Sequence, residues 1–132
     1  MHENTLKVLV VDDEEGILDL TQRILRHKCG YDTVGTTDGE EAVKLFVEHS
    51  PDICILDVHL DDSVLSGIDV LREVRKIAPN AQCIMITRIT EEHTIKQSKE
   101  LGAAAYLLKP LDTKEWLDVV KELADGILKG RP

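Results

Sequence analysis

The sequence predicts an α/β fold: a parallel sheet with helices packed on both faces. Three observations carry this reading. Short β-branched apolar runs alternate with amphipathic helical patterns along the chain. The runs 6-LKVLVV-11 and 53-ICIL-56 are nearly continuous apolar sequence, as strands buried on both faces require. Each run gives way to polar residues, so right-handed crossovers would collect those residues along one sheet edge.

The first strand, 6–11, ends abruptly in four acids, Asp12 to Glu15. Ile17, Leu18, Thr21, Ile24 and Leu25 then recur at helical spacing up to about Lys28, and Gly30 is a natural stop. A shorter strand follows from Asp32 to Thr36. Asp38 can cap the second helix, whose apolar face is Ala42, Val43, Phe46 and Val47. Pro51 marks its end. The third strand, 53–56, ends at Asp57. Ile68, Leu71 and Val74 lie three apart on the third helix and form one buried stripe, with Arg75 beside it. Pro79 and Asn80 make a turn into the fourth strand, 83-CIMIT-87. Residues 91–101 suit a fourth helix, stopped by Gly102. The fifth strand, 104-AAYLL-108, ends at Lys109. Asp112 or Thr113 caps a last helix running to about Leu128, with Leu117, Val120, Leu123, Ala124 and Ile127 on its apolar face.

A chain of 132 residues suits one domain with a single sizeable core. We expect a tail over 1–5, the folded domain over 6–128, and over 129–132 a second tail or the start of a linker. The segment 126-GILKGRP-132 favours a linker, hence a piece of a longer protein. Aromatics are only 3%, so the core is aliphatic and stacking platforms for single strands are nearly absent. A formal charge of -9 disfavours nucleic acid and anionic membrane surfaces as partners. No apolar run approaches the ~20 residues of a membrane span, and no signal peptide opens the chain. Cys29, Cys54 and Cys83 are widely and irregularly spaced, and read as buried thiols in a reducing, cytoplasmic compartment. None of the histidines His2, His27, His49 or His93 has metal-ligand spacing.

The strand ends carry the chemistry. Asp12 and Asp13, Asp57, Thr87 and Lys109 each end a different strand. Singly, an acid or threonine there is as well explained as a helix cap. As a set, three acids, a hydroxyl and an ammonium meet on one edge. Close carboxylates need a counter-charge, which Lys109 supplies in part and a hard divalent cation would complete. A metal, a cation and hydroxyl donors are what a phosphoryl group requires around its oxygens. Asp57, ending the central strand, can take that group as an acyl phosphate while Thr87 and Lys109 hold its oxygens.

The chain from about Leu6 to Leu128 resembles the receiver domain of bacterial two-component response regulators. The resemblance rests on 10-VVDDEEGIL-18, Gly30 with Tyr31, 53-ICILD-57, Gly67, Thr87, 102-GAAAYLLKPLD-112 and the final helix, in that order and spacing. It implies a flavodoxin-like sandwich with strand order 2-1-3-4-5 and five flanking helices. It implies Asp57 as phosphoacceptor from a phosphohistidine on a histidine kinase or phosphotransfer domain. Mg²⁺, with Mn²⁺ as the substitute, would be held by Asp12, Asp13, Asp57 and the backbone carbonyl of His59, Asp13 being the more direct ligand of the pair. Thr87 corresponds to the switch hydroxyl, Lys109 to the phosphate-binding lysine, and Tyr106 to the aromatic that follows Thr87. The Lys109–Pro110 bond is expected to be cis. Catalysis is limited to self-phosphorylation from a phosphodonor and slow autodephosphorylation. Output or homodimer contacts are expected on the fourth-helix to fifth-helix face, with Ile89, Ile95 and Trp116 as contributors; Trp116, beside Leu117, is as well explained by packing at the core margin.

The chain departs from that family pattern in places. The segment 58-VHLDDSVLSG-67 has Asp61 where a proline is usual and brings Gly67 two positions late, giving a longer, more acidic loop. Altered metal affinity or kinase docking is expected from it. Arg88 follows the switch threonine in place of a small residue. It can cover the pocket and pair with a phosphoryl group or with Asp61, or point into solvent. His59 flanks the path of attacking water and is a second tuning position. Two other functions compete: a Mg²⁺-dependent phosphohydrolase working through an aspartyl phosphate, for which the chain lacks room for a cap, and a silent receiver-like domain that only binds protein.

Overall fold

The computed structural model describes residues 5–88, 91–110 and 112–130. Strands and helices alternate throughout: β1 (Lys7–Val11), α1 (Glu15–Cys29), β2 (Asp32–Thr36), α2 (Gly39–His49), β3 (Ile53–Asp57), α3 (Gly67–Ile77), β4 (Gln82–Thr87), α4 (Glu92–Glu100), β5 (Ala105–Leu108) and α5 (Thr113–Lys129). The strands form one parallel sheet in the order β2-β1-β3-β4-β5. This is the flavodoxin-like order, with its reversal between β1 and β3. Strand and helix ends lie within about two residues of the sequence expectations.

The period-two alternation of a strand sorts the core into two halves. Cys54 and Leu56 of β3 face the layer of α2 and α3, where Ala42, Phe46, Val70, Leu71 and Val74 are buried. Ile53 and Ile55 face the other layer, packing with Leu25 of α1 and with Trp116, Leu117, Val120 and Ala124 of α5. Asp57 continues the Ile53–Ile55 face at the strand's end. The buried Cys54 and Cys83 sit opposite each other in the β3–β4 register, both as free thiols, whereas Cys29 is only half-buried.

Helix ends follow local chemistry. Gly30 closes α1 in the left-handed region at φ 72°, and its N–H reaches Arg26 O. The Asp38 side chain caps α2 by accepting from Glu41 N at 2.9 Å. Ser66, which the sequence reading passed over, caps α3 in a reciprocal capping box with Asp69. Asp112 occupies the N-cap position of α5, yet its side chain accepts no hydrogen bond there.

Two expectations about faces are corrected. Val47 is 61% exposed and so is not on the buried face of α2. Ile17 is at the solvent edge of α1, while Leu25 is that helix's fully buried residue. Of the two readings open for Trp116, packing is the one its burial favours: it is 6% exposed within the α1–α5 core. Ile89 and His2 lie outside the described residues.

Arg75 has a role its place beside an apolar stripe did not announce. Its guanidinium donates to Leu101 O at 2.6 Å and Gly102 O at 3.3 Å, and to Pro79 O at 2.8 Å and Ala78 O at 3.4 Å. It thus binds the carbonyl-rich C-terminal ends of α3 and α4 together, where a cation is favoured by both helix dipoles. No residue of α4 belongs to either apolar cluster among the described residues; its buried positions are Thr94 and Ser98.

Candidate functional site

Parallel pairing brings the C-terminal ends of β1, β3, β4 and β5 to one edge. Backbone bonds carry the alignment past the strands themselves: Val58 N donates to Ile86 O at 2.8 Å, and Lys109 N to Thr87 O at 2.7 Å. Asp12, Asp13, Asp57, Thr87 and Lys109 therefore meet as the sequence predicts. The Lys109–Pro110 bond is cis, also as expected.

The Lys109 ammonium lies between two carboxylates. It donates to Asp12 Oδ2 at 2.9 Å and to Asp57 Oδ2 at 3.0 Å, with Glu14 Oε1 at 3.5 Å. The side chains of this trio are 8%, 7% and 1% exposed, respectively. Such a pair with a free amine would be costly, so each charge depends on the others. Burial pushes the Asp57 carboxyl up to about 6, against the opposing pull of the Lys109 hydrogen bond and charge. For Lys109, burial acts downward, but hydrogen bonds to Asp12 and Asp57 outweigh it and the ammonium's pKa is raised.

The other acid oxygens are oriented by main-chain donors. His59 N donates to Asp57 Oδ1 at 3.2 Å, and Glu14 N to Asp12 Oδ1 at 3.0 Å. Asp61 N lies 3.5 Å from Asp13 Oδ2. Asp13 Oδ1 is buried with no hydrogen-bond partner. One carboxylate oxygen from each of Asp12, Asp13 and Asp57 lies within 4.8 Å of the others. An orphaned buried oxygen among converging hard donors is what a divalent cation would satisfy, so this cluster can coordinate one.

Thr87 is completely buried at the end of β4. The Tyr106 hydroxyl is also buried, without a partner in good hydrogen-bond geometry. Burial raises the phenol's pKa, and the Thr87 hydroxyl facing it acts in the opposite direction. The two expected switch residues are therefore neighbours. Arg88 pairs with Asp61 at 3.7 Å, one of the alternatives open from the sequence. Both side chains are largely exposed, so the pair is weak. The His59 ring stands with Nε2 3.6 Å from Glu91 Oε1.

Some contributors were missed. Glu14 was visible only as one of four acids. Glu91 had no sequence signal, because its relevance depends on where the β4–α4 connection runs. Gly67 was part of the family resemblance, but its physical reason appears only in space. A Cβ there would lie 2.0 Å from Asp57 O, so α3 begins in direct contact with the end of β3. Gly39 is similar: a Cβ would lie 2.5 Å from Leu65 O.

Known proteins give the same picture. The chain is 34% identical over 116 residues to sporulation initiation phosphotransferase F of Bacillus subtilis, covering 88% of this chain and 91% of that protein. It is 40% identical over 109 residues to the alkaline phosphatase synthesis transcriptional regulatory protein PhoP of the same organism; the match covers 83% of this chain but spans 44% of PhoP. Among solved structures, a CheY-like response regulator receiver domain protein from Methanospirillum hungatei JF-1 superposes with a TM-score of 0.89 at 28% identity, covering 96% of this chain and 99% of that one. No described helix is long and apolar enough to cross a membrane. The description "response regulator receiver domain" fits residues 8–121, which include both the acid pair and Lys109, and with this match the sheet order and the acid cluster have one explanation: the chain belongs to the receiver-domain family of two-component response regulators, which acts by phosphotransfer.

Proposed function

We propose that Asp57 accepts a phosphoryl group from the phosphohistidine of a histidine kinase or phosphotransfer domain, and that the acyl phosphate then changes what this domain binds. The observation that carries this is the Lys109 ammonium seated between Asp57 and Asp12, with Asp13 beside them offering an unpartnered oxygen. An Asp57 oxygen forms the new O–P bond as the N–P bond to the donor imidazole breaks, and the imidazole leaves as the neutral ring after taking up a proton. Lys109 and Thr87 hold the phosphoryl oxygens, so their positive charge and hydroxyl are aimed where negative charge collects. Asp12, Asp13, Asp57 and the His59 carbonyl would hold Mg²⁺, whose charge would offset that of the acids and of an incoming phosphoryl group. Phosphorylation draws on Thr87, Tyr106 responds to its position, and the α4–β5–α5 face carries the change to an output domain or a second copy.

The protein donor reaches the site from the sheet edge. On the α1 side, exposed Ile17 and Leu20 border a groove of about 230 Å³ that continues to Lys109 and Pro110. An apolar groove sharing a wall with the acceptor site suits a donor protein's helix. The similarity to a protein named a phosphotransferase supports a place in a phosphorelay.

The test is incubation with Mg²⁺ and acetyl phosphate, read by intact mass. The expected result is one phosphoryl group per chain, lost in Asp57→Ala and in EDTA. Continuous phosphate release without accumulation would indicate the hydrolase, and no labelling at all would indicate a silent domain.

A further inference from the structure

We propose that Val64 is a preformed docking tooth that the phosphodonor protein reads, so that it sets which kinases or phosphotransfer proteins are accepted. This rests on the reading of Asp57 as acceptor from a protein phosphohistidine, and adds a specificity determinant outside the reacting groups.

Val64 is 82% exposed, the highest exposure among the large apolar side chains described. A lone exposed valine means little; the way this one is held is the observation. The residues before and after it are tied down. Ser63 N donates to Leu60 O at 3.0 Å, and Ser63 Oγ donates to Leu65 O at 2.8 Å. Gly39 N, at the start of α2, donates to the same Ser63 Oγ at 2.8 Å. On one side Leu60 is buried, and on the other Leu65 packs against the core. Ser66 then starts α3 with its capping box. The loop is therefore anchored by the residues before and after its tip, and it presents one apolar side chain outward.

Place and charge identify the partner. The loop leaves directly from Asp57, and Asp61 N reaches Asp13 of the acid cluster. A protein that brings a phosphohistidine to Asp57 must cover this edge, with Ile17 and Leu20 on one flank and Val64 on the other. Acidic Asp61, only weakly paired with Arg88 at 3.7 Å, and Asp62 precede the tooth. The matching feature on the donor is an apolar pocket rimmed by lysine or arginine. Beyond Val64, Leu65 and Val43 line an open groove of about 510 Å³ between α2 and α3, so the contact can extend past a single residue. Because the tooth is already ordered, little conformational entropy is lost when it docks.

The experiment compares two donors on wild type, Val64→Ala and Val64→Asp. The first is acetyl phosphate, which needs no docking surface. The second is the histidine kinase that phosphorylates wild type fastest within a panel of purified, ATP-autophosphorylated kinases. Acetyl phosphate labelling should stay within about twofold of wild type in both variants, which also reports that they are folded. Transfer from the kinase should fall about tenfold in kcat/KM for Val64→Asp and less for Val64→Ala, with the loss in KM and not in kcat. Equal kinase transfer to all three chains would overturn the inference and leave Asp57 as acceptor intact. If acetyl phosphate labels Asp57 while no kinase phosphorylates wild type, the protein-donor reading fails and takes this inference with it. If acetyl phosphate fails on wild type as well, the acceptor reading itself is lost.

Discussion

Replacing Gly67 by alanine tests whether the acceptor is positioned by direct backbone contact between β3 and α3. A Cβ at Gly67 would lie 2.0 Å from Asp57 O, 2.8 Å from Asp57 C and 2.9 Å from Val58 Cα. Carbon and carbonyl oxygen settle at about 3.3 Å, so the two segments must part by about 1.3 Å. These neighbours are backbone atoms, and no rotamer change relieves the clash. Separation also strains the 2.9 Å bond from Gly67 N to Val58 O. Overpacking of this kind costs about 1–3 kcal/mol, and loss of that hydrogen bond about 1 kcal/mol. We expect Gly67→Ala to lower stability by about 3 kcal/mol in urea unfolding followed by circular dichroism. Asp57 moves with its carbonyl, and a misplacement near 1 Å costs on the order of 10²-fold in rate, so acetyl phosphate labelling should slow accordingly in the fraction still folded. Gly126→Ala is the opposing control. It lies inside α5 with nothing within 4 Å of its would-be Cβ, and alanine there should add about 0.5–1 kcal/mol. Unchanged urea midpoint and labelling in Gly67→Ala would refute the contact as the device that places Asp57.

Two further outcomes follow from the described geometry. Arg75→Ala removes four donors from the carbonyl ends of α3 and α4; it should cost about 2–3 kcal/mol and speed amide exchange selectively in α4 and the 101–103 turn, while Arg75→Lys recovers part of both, and uniform exchange across the sheet would contradict the clamp. The Asp57 pKa of about 6 lies above its ordinary 3.8, so the folded protein holds a proton there that the unfolded chain releases, and this stabilising contribution is complete below about 3.8 and lost as pH rises through about 6; in metal-free buffer the stability gain of Asp57→Asn over wild type should grow between pH 4 and 7 and then level, whereas a gain that shrinks over that range would refute the burial argument.

Much of the fold was legible because parallel strands buried on both faces leave a strong mark. The runs ending at Val11, Leu56 and Thr87 have few polar interruptions, and their helices carry apolar residues three or four apart. Legibility fell where a helix is held by something else. Val47 keeps the helical spacing of α2 but falls at its margin, and its apolar character alone does not say that the sheet ends before covering it. The site was readable for a related reason: topology, not sequence proximity, brings Asp12, Asp57 and Lys109 together; the strand pattern implied the parallel sheet and its common edge, and the family resemblance implied the strand order. What could not be read were contacts that depend on loop paths, such as Glu91 beside His59 and Ser63 against Gly39. Polar residues in loops carry no periodicity, so nothing in their spacing announces a partner.

The seating of α4 has a consequence for how firmly that helix is held. Its buried residues are a threonine and a serine, with Ser98 Oγ returning its hydrogen bond to Thr94 O of the same helix, and Arg75 pins its far end. A helix lodged on small hydroxyl side chains can roll or slide without bringing oily surface into water, so the usual penalty that freezes a helix in one pose is largely missing. The four hydrogen bonds of Arg75 then become the main contact that resists displacement of this helix. If Thr87 moves on phosphorylation, as proposed, α4 is the element with the least apolar packing to hold it against following.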